Sequence, residues 1–429
     1  GVDIIGTDNR FSPLWNVSGK WNVHNESFMT RFGFINQLAF RVSYGFVGSI
    51  DRNALPFSVL RKVSNYSYNG EKIMDRYDPS NPSIKWQRQE NRNIGFDASL
   101  LNNRINLVVN YYDNDTRNLL DDKKIAASTG RLSVAANVAS VNNRGWEISL
   151  RTLNVRTTDF SWVTSVNFTK NKDKVTETYY QDLSEVSAST NSTFESIYNL
   201  YIQGRPVKAF YGYKYAGVDP YTGNSLAYVD GFDDDGNRLG TLTPEGKYVY
   251  NMDNDLTTQL ANSSRGYLGR SDPPITGGFT TQFNYKRFSL FAQFTYMTGH
   301  LARSFQYYVS GGTTSASARN LLKIEANRWR KPGDMTDVPK YGTSRTEYLY
   351  QLFDFRFEKG DYLKCNNISL GYNLDPALCA KLYITRARLN LNMANVFTLT
   401  KFRGIDPETK GAFTYPSART YSFTLSIGI

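Results

Sequence analysis

The residue types that carry most enzyme chemistry are sparse in this chain. Its 429 residues include two histidines, His24 and His300, and two cysteines, Cys365 and Cys379. A histidine can serve a Ser-His esterase only if it shares a site with the nucleophile and an orienting group. The acidic stretch "VDGFDDDGN" gives Asp233, Asp235 and Gly236 the D-x-D-G spacing of a calcium loop, but Gly231 stands where the first ligand belongs and no Glu closes the loop. A solvated turn is the favoured reading there, with a divalent-ion site as the alternative. Other carboxylates are too dispersed to argue for a glycosidase pair. Aromatic residues in long polar segments are a different resource. Tyr66, Tyr68, Trp86, Tyr307 and Tyr308 have the chemistry to stack on sugar rings or peptide side chains, and packing roles compete equally for them.

The elements that position these residues are strands. Side chains alternate across a strand, and eleven segments alternate apolar with polar residues. The first sets Trp15, Val17, Trp21 and Val23 against Asn16, Ser18, Lys20 and Asn22; the second sets Phe40, Val42 and Tyr44 against Arg41 and Ser43. Ile94–Leu100 and Ile105–Tyr111 form a hairpin about Asn102 and Asn103, which suit a tight turn. Trp146–Arg151 and Phe160–Phe168 follow, then Ile275–Tyr285 and Phe288–Tyr296 after a long interruption. Ile368–Tyr372, Ala387–Met393 and Tyr421–Ile429 complete the set.

Connections alternate in length. Short ones fall near 24–36, 101–104, 153–158, 286–287 and 375–382; long ones fall at 48–92, 114–143, 171–272, 298–361 and 397–417. Outer-membrane barrels pair short periplasmic turns with long external loops. With the final strand running inward, every short connection is periplasmic and every long one external. His24 and His300 then lie at opposite ends of the strands and share no site. Within 171–272, "FYGYKYAGV" and "KYVYN" are either one more pair of wall strands or part of a domain outside the membrane.

Composition agrees. There are 30 Tyr, 26 Phe and 6 Trp, far more than a disordered chain carries. No stretch approaches the roughly 18 apolar residues of a spanning helix, and closed barrels are the other structure that crosses a membrane. The formal charge of +11 is scattered through alternating strands without a long Lys/Arg run, which argues against nucleic acid. Eleven strands with outward aromatics leave two bare edges, so further strands are expected upstream of a chain that opens in loop-like sequence at Gly1.

Nine stretches in order then resemble one family, the SusC/RagA-type TonB-linked transporters. They are "PLWNVSGKWNVHNESFM", "LAFRVSYGFVG", "NPSIKWQRQENRNIGFDASLLNNRINLVVNYYDNDTRNLL", "NVASVNNRGWEISL", "FYGYKYAGVDPYTGN", "GRSDPPITGGFTTQFNYKRFSLFAQFTY", "ANRWRKPGD", "YLKCNNISLGYNL" and "RARLNLNMANVFTLTKFRGIDPE". The resemblance implies that residues 1–429 are the C-terminal half of an all-β, antiparallel up-and-down barrel of 22 strands. The plug and the TonB-contact segment of such proteins precede the barrel and are expected outside this sequence. It further implies a non-enzymatic importer of oligosaccharides or peptides in the Gram-negative outer membrane, without a cofactor. Its partners would be the N-terminal half, outer-membrane lipid, TonB and a SusD-like lipoprotein serving as lid. The chain departs from the family in ending on Ile429 rather than an aromatic. A passive pore or a soluble β-rich binding module are the rival readings.

Two local expectations follow. "SASARNLLKIEANRWRKPGD" reads as a short loop helix capped by Ser315 or Ser317 and stopped by Pro332 and Gly333. Cys365 and Cys379 are separated by about ten extended residues, or ~30 Å, and do not bridge. The long segments also carry Tyr179, Tyr180, Tyr198, Tyr201 and Trp329, candidates for stacking or for docking a protein.

Overall fold

The computed structural model describes residues 11–50, 59–68, 71–78, 81–129, 133–179, 202–230, 240–251, 266–304, 323–340, 353–408 and 415–429. Eleven antiparallel strands make one sheet in sequence order: β1 (Asn16–Trp21), β2 (Ile35–Ser49), β3 (Gln87–Leu100), β4 (Ile105–Lys124), β5 (Ser133–Arg156), β6 (Phe160–Glu177), β7 (Ile275–Tyr285), β8 (Phe288–Thr298), β9 (Tyr362–Asn373), β10 (Arg386–Thr400) and β11 (Thr420–Gly428). Each overlaps the segment whose alternation predicts it. The sheet is open, with β1 and β11 at its edges.

Register carries the alternation from strand to strand. One rung aligns Val42, Ile94, Tyr111, Trp146, Lys170 and Ile275; another, four residues along the strands on the same face, aligns Leu150, Val166, Phe279 and Phe294. This face exposes large apolar groups, Ile94 at 59%, Val42 at 57% and Phe423 at 68%. A water-soluble sheet would cover such a surface, and a sheet facing lipid has no need to. Aromatic bands mark both margins. Tyr111 and Trp146 pack 4.9 Å apart at the end with long connections, while Phe288 and Tyr372 pack 4.7 Å apart at the end with short turns.

The ladder runs further than alternation predicts at the long connections. β4 continues to Lys124 and β5 begins at Ser133, so most of 114–143 is paired strand. Beyond the apolar band both faces are polar, as in Asp113, Asn114, Asp115 and Thr116. The pattern vanishes there while the backbone ladder persists. Within 48–92 a separate hairpin forms, Val59–Tyr68 with Glu71–Asp78.

The short turns are tightly built. Leu101, Asn102 and Asn103 all adopt left-handed φ, at 53°, 57° and 61°, so the turn recruits Leu101 in addition to the two asparagines. Asp375 caps the helical turn Pro376–Lys381 by accepting the Ala377 N–H at 2.8 Å, and Arg287 of the neighbouring turn pairs with it. That guanidinium, together with the Ala377 N–H, holds the Asp375 carboxyl below the usual carboxylate range.

Segments of the β6–β7 and β8–β9 connections form a cap of their own at the opposite end. Lys214–Val218, Ser225–Val229, Tyr248–Asn251 and Thr241–Leu242 make a four-stranded sheet, and Ala209–Gly212 pairs with Gly266–Arg270. "FYGYKYAGV" and "KYVYN" therefore contribute no strand to the eleven-stranded wall. Of the two alternatives, they belong to a separate unit beyond it.

Candidate functional site

The polar face of β1–β5 holds a recess of about 600 Å³, lined by Lys20, Arg41, Asn93, Asn110, Tyr112 and Glu147 among others. Its organising contact is a diagonal cross-strand pair. Arg41 donates from Nε to Asp97 Oδ2 at 2.9 Å and from Nη2 to Asp97 Oδ1 at 2.7 Å. The same Nη2 reaches Asn110 Oδ1 at 3.0 Å. Arg41 can lie flat because its rung partner is Gly95: a Cβ there would come within 2.9 Å of the Arg41 Cζ. A two-pronged arginine of this kind fixes geometry as well as charge. Tyr112 lies over Gly145 and donates to Asn171 Oδ1 at 2.9 Å. The recess offers donors and acceptors on a rigid wall, which suits recognition. Alternation assigned Arg41, Asn110 and Glu147 to the polar face, but their convergence was missed; the signal was a glycine opposite an arginine at the centre of two adjacent strands.

The cap is built on aromatic residues from both long connections. Phe353 is fully buried, with ring centroids 6.2 Å from Tyr213, 4.8 Å from Tyr215 and 5.9 Å from Phe355. Two hydrogen bonds stitch the connections together: Asp354 N donates to Tyr213 O at 2.9 Å, and Tyr215 N donates to the Asp354 side-chain carboxylate at 3.1 Å. The "VDPYTGN" stretch is a tight turn. Asp219 accepts the Tyr221 N–H at 2.9 Å and the Thr222 hydroxyl at 2.7 Å, and Gly223 takes a φ of +75°. Trp329 covers that turn so closely that a Cβ on Gly223 would meet its ring at 2.4 Å, and its indole N–H donates to Pro220 O at 2.9 Å. Trp329 is thus engaged in packing of the cap. Tyr211 is buried and stacks edge-on against Tyr267 at 5.9 Å; burial pushes its phenol up to about 12.

The other sequence candidates fall as follows. Trp86 precedes β3, half-buried across Gly48, where a Cβ would meet its ring at 3.2 Å. Tyr66 and Tyr68 lie in the strand Val59–Tyr68, with side chains outside the description. Tyr307, Tyr308, Tyr180, Tyr198, Tyr201, Asp233, Asp235, Ser315 and Ser317 lie outside the described residues. What is described of the expected loop helix is a short 3-10 segment, Lys323–Asn327, and among the described residues no cluster of His, Cys, Asp and Glu could hold a metal. Tyr179 is exposed, with Lys123 Nζ 5.4 Å from its ring centroid. His24 sits in the β1–β2 turn against Leu38 O, and His300 follows β8 at the other end. Cys365 lies within β9 and Cys379 in the helical turn beyond it, both buried as free thiols.

The geometry so far describes a membrane wall with a polar inner face. A family model for "TonB dependent receptor-like, beta-barrel" matches residues 3–232. The chain belongs to that family. A TonB-dependent receptor of Formosa agariphila is 29% identical over 416 residues, covering 90% of this chain and 39% of the relative. The TonB-dependent receptor SusC of Bacteroides thetaiotaomicron is 24% identical and matches 100% of this chain and 41% of its own length. Among solved structures, a chain of the RagAB peptide transporter superposes with a TM-score of 0.76 at 27% identity, covering 99% of this chain and 44% of that one. The chain thus spans about two-fifths of the length of the curated relatives it matches. As a TonB-dependent receptor barrel it is an outer-membrane, transmembrane β-barrel protein. Its exposed apolar face meets lipid and its polar face meets the lumen.

Proposed function

We propose that the 429 residues form the C-terminal half of the barrel of an energised importer and much of its external mouth. In this reading the short turns are periplasmic and the connections 48–92, 114–143, 171–272, 298–361 and 397–417 are external. An oligosaccharide or peptide binds above a plug supplied by the N-terminal half. TonB acts through that half, and a SusD-like lipoprotein closes over the cap. The observation that carries this is the cap itself. Two of the long connections fold together on their own aromatic core, whereas a passive pore needs only enough chain to join its strands. The peptide arm draws support from the RagAB peptide transporter, whose fold this chain shares; the oligosaccharide arm rests on the SusC resemblance. The candidate stacking residues remain Tyr66, Tyr68, Trp86, Tyr307 and Tyr308, with Asp233 and Asp235 as the weak ion-binding candidates.

The test is deletion of the tips of 298–361, leaving β8 and β9 intact, in the full-length transporter. Uptake of labelled peptides and of labelled oligosaccharides, and lipoprotein co-purification, are measured at matched membrane levels. Loss of one uptake class names the ligand. Unchanged uptake of both with unchanged co-purification sinks the reading.

A further inference from the structure

The lipid-facing side of the wall carries a cationic patch that the transport reading leaves unused. On β6 the outward positions run Phe160, Trp162, Thr164, Val166 and Phe168, and then become Lys170, Lys172 and Lys174. Pairing places Lys170 beside Trp146 and Lys172 beside Arg144 of β5. All four cationic residues are exposed, as is Trp146 at 47%. A tilted strand crosses the hydrocarbon in about 9–11 residues. Counting from Phe160, at the short-turn end, therefore brings Lys170 and Lys172 to the far headgroup level, Lys170 in register with the aromatic pair Tyr111 and Trp146 and Lys172 one step beyond it.

The neighbouring acidic groups are already engaged. Asp113 and Asp115 accept from Asn142 Nδ2 at 2.6 and 2.8 Å, and Arg92 pairs with Asp115 at 3.2 Å and with Glu90 at 2.7 Å. Among the described residues no carboxylate pairs with Arg144, Lys170, Lys172 or Lys174. The inner face of the same stretch of β6 is covered: Val175 is fully buried, and Asp173 accepts the Val207 N–H at 2.8 Å and pairs with Arg270. These cations thus stand on the membrane side of a strand whose other side is closed by the cap.

We propose that Arg144, Lys170 and Lys172 form a binding site for the phosphorylated headgroup of an outer-leaflet lipid, with its acyl chains lying along Trp146, Ile148 and Phe168. Exposed cations at headgroup depth each add favourable energy with anionic lipid, and an aromatic and aliphatic row directly beneath suits chains attached to the same molecule. The inference takes its orientation from the transport reading, but its readout is lipid affinity, which is independent of uptake.

The test uses the intact transporter in detergent, titrated with bis-phosphorylated lipid A and followed by native mass spectrometry. Each of K170A, K172A and R144A should weaken binding about fivefold, and the triple variant on the order of a hundredfold. The charge-keeping R144K/K170R/K172R variant should bind like the parent, and R151A, on the lumen face of β5 and outside the recess, should be unaffected. If the triple variant fails to assemble, as judged by heat-modifiable migration, the single variants give the reading. Affinity equal to the parent's in all of the alanine variants would overturn the site. So would displacement of bound lipid A by an equal concentration of inorganic phosphate, which would reveal a free-anion site instead.

Discussion

The wall and the cap are built from similar residues, rich in Tyr and Phe, but different physics holds them. In the wall, each side chain meets rung partners on adjacent strands and its own environment, lipid or lumen. Val166 sits between Leu150 and Phe279 on the outer face, and Ser165, one residue earlier, faces the lumen beside Arg151 and Thr280. In the cap, Phe353 comes from the β8–β9 connection and is buried among Tyr213 and Tyr215 of the β6–β7 connection. The wall therefore behaves as a lattice with a solvent on each side, the cap as a small core that excludes water. Aromatic content alone does not say which kind of burial a residue has.

The largest expected effect is in the cap. Phe353→Ala should cost about 3–5 kcal/mol of cap stability, the usual range for emptying a buried phenylalanine site. Hydrogen exchange and limited proteolysis of residues 202–230 and 353–361 would report it, with heat-modifiable migration of the barrel unchanged. Concurrent loss of barrel migration would show that the two regions do not fold as separate units.

The wall should respond to direction rather than to volume. Val166→Arg, facing lipid near mid-bilayer, should destabilise by about 2–4 kcal/mol, read from urea midpoints in reconstituted bilayers. Ser165→Arg, on the lumen face of the same strand, should cost well under half of that. Equal costs would mean that the assigned faces are wrong.

The smallest expected effect sharpens the description of the cap. Burial raises the Tyr211 phenol from 10.0 to about 12, so the folded state holds its proton more tightly than the unfolded chain does. Its contribution is therefore complete below pH 10 and is lost as pH climbs from 10 to about 12. Tyr211→Phe removes the proton and should flatten that alkaline limb of cap stability. Since the buried hydroxyl has no hydrogen-bond partner among the described residues, the variant should be neutral or slightly stabilising at pH 7. An unchanged alkaline limb, followed by tyrosine absorbance and hydrogen exchange, would place the titration elsewhere.

Much of the wall was legible because alternation is local. Trp146, Ile148 and Leu150 against Glu147 and Arg151 assign two faces without reference to any other part of the chain, and the rungs follow once neighbours pair in order. The extended hairpin from Asp113 to Lys124 was not legible, because both of its faces are wet and carry no contrast. The lumen cluster was half legible. Arg41 and Asn110 were assigned to the polar side, but the Arg41–Asp97 pair depends on Gly95 leaving space on Arg41's own rung.

By itself the sequence determined where the eleven wall strands run, which two faces they present and how short and long connections alternate, since each follows from period-two patterning. Only the tertiary structure decided that "FYGYKYAGV" leaves the wall to meet Phe353, that Trp329 covers Gly223, and that Arg144 pairs in register with Lys172 next to Lys170 on the lipid side. Those contacts join residues whose separation along the chain sets no period, and they are chosen by the shape and charge left free once the backbone ladder has formed.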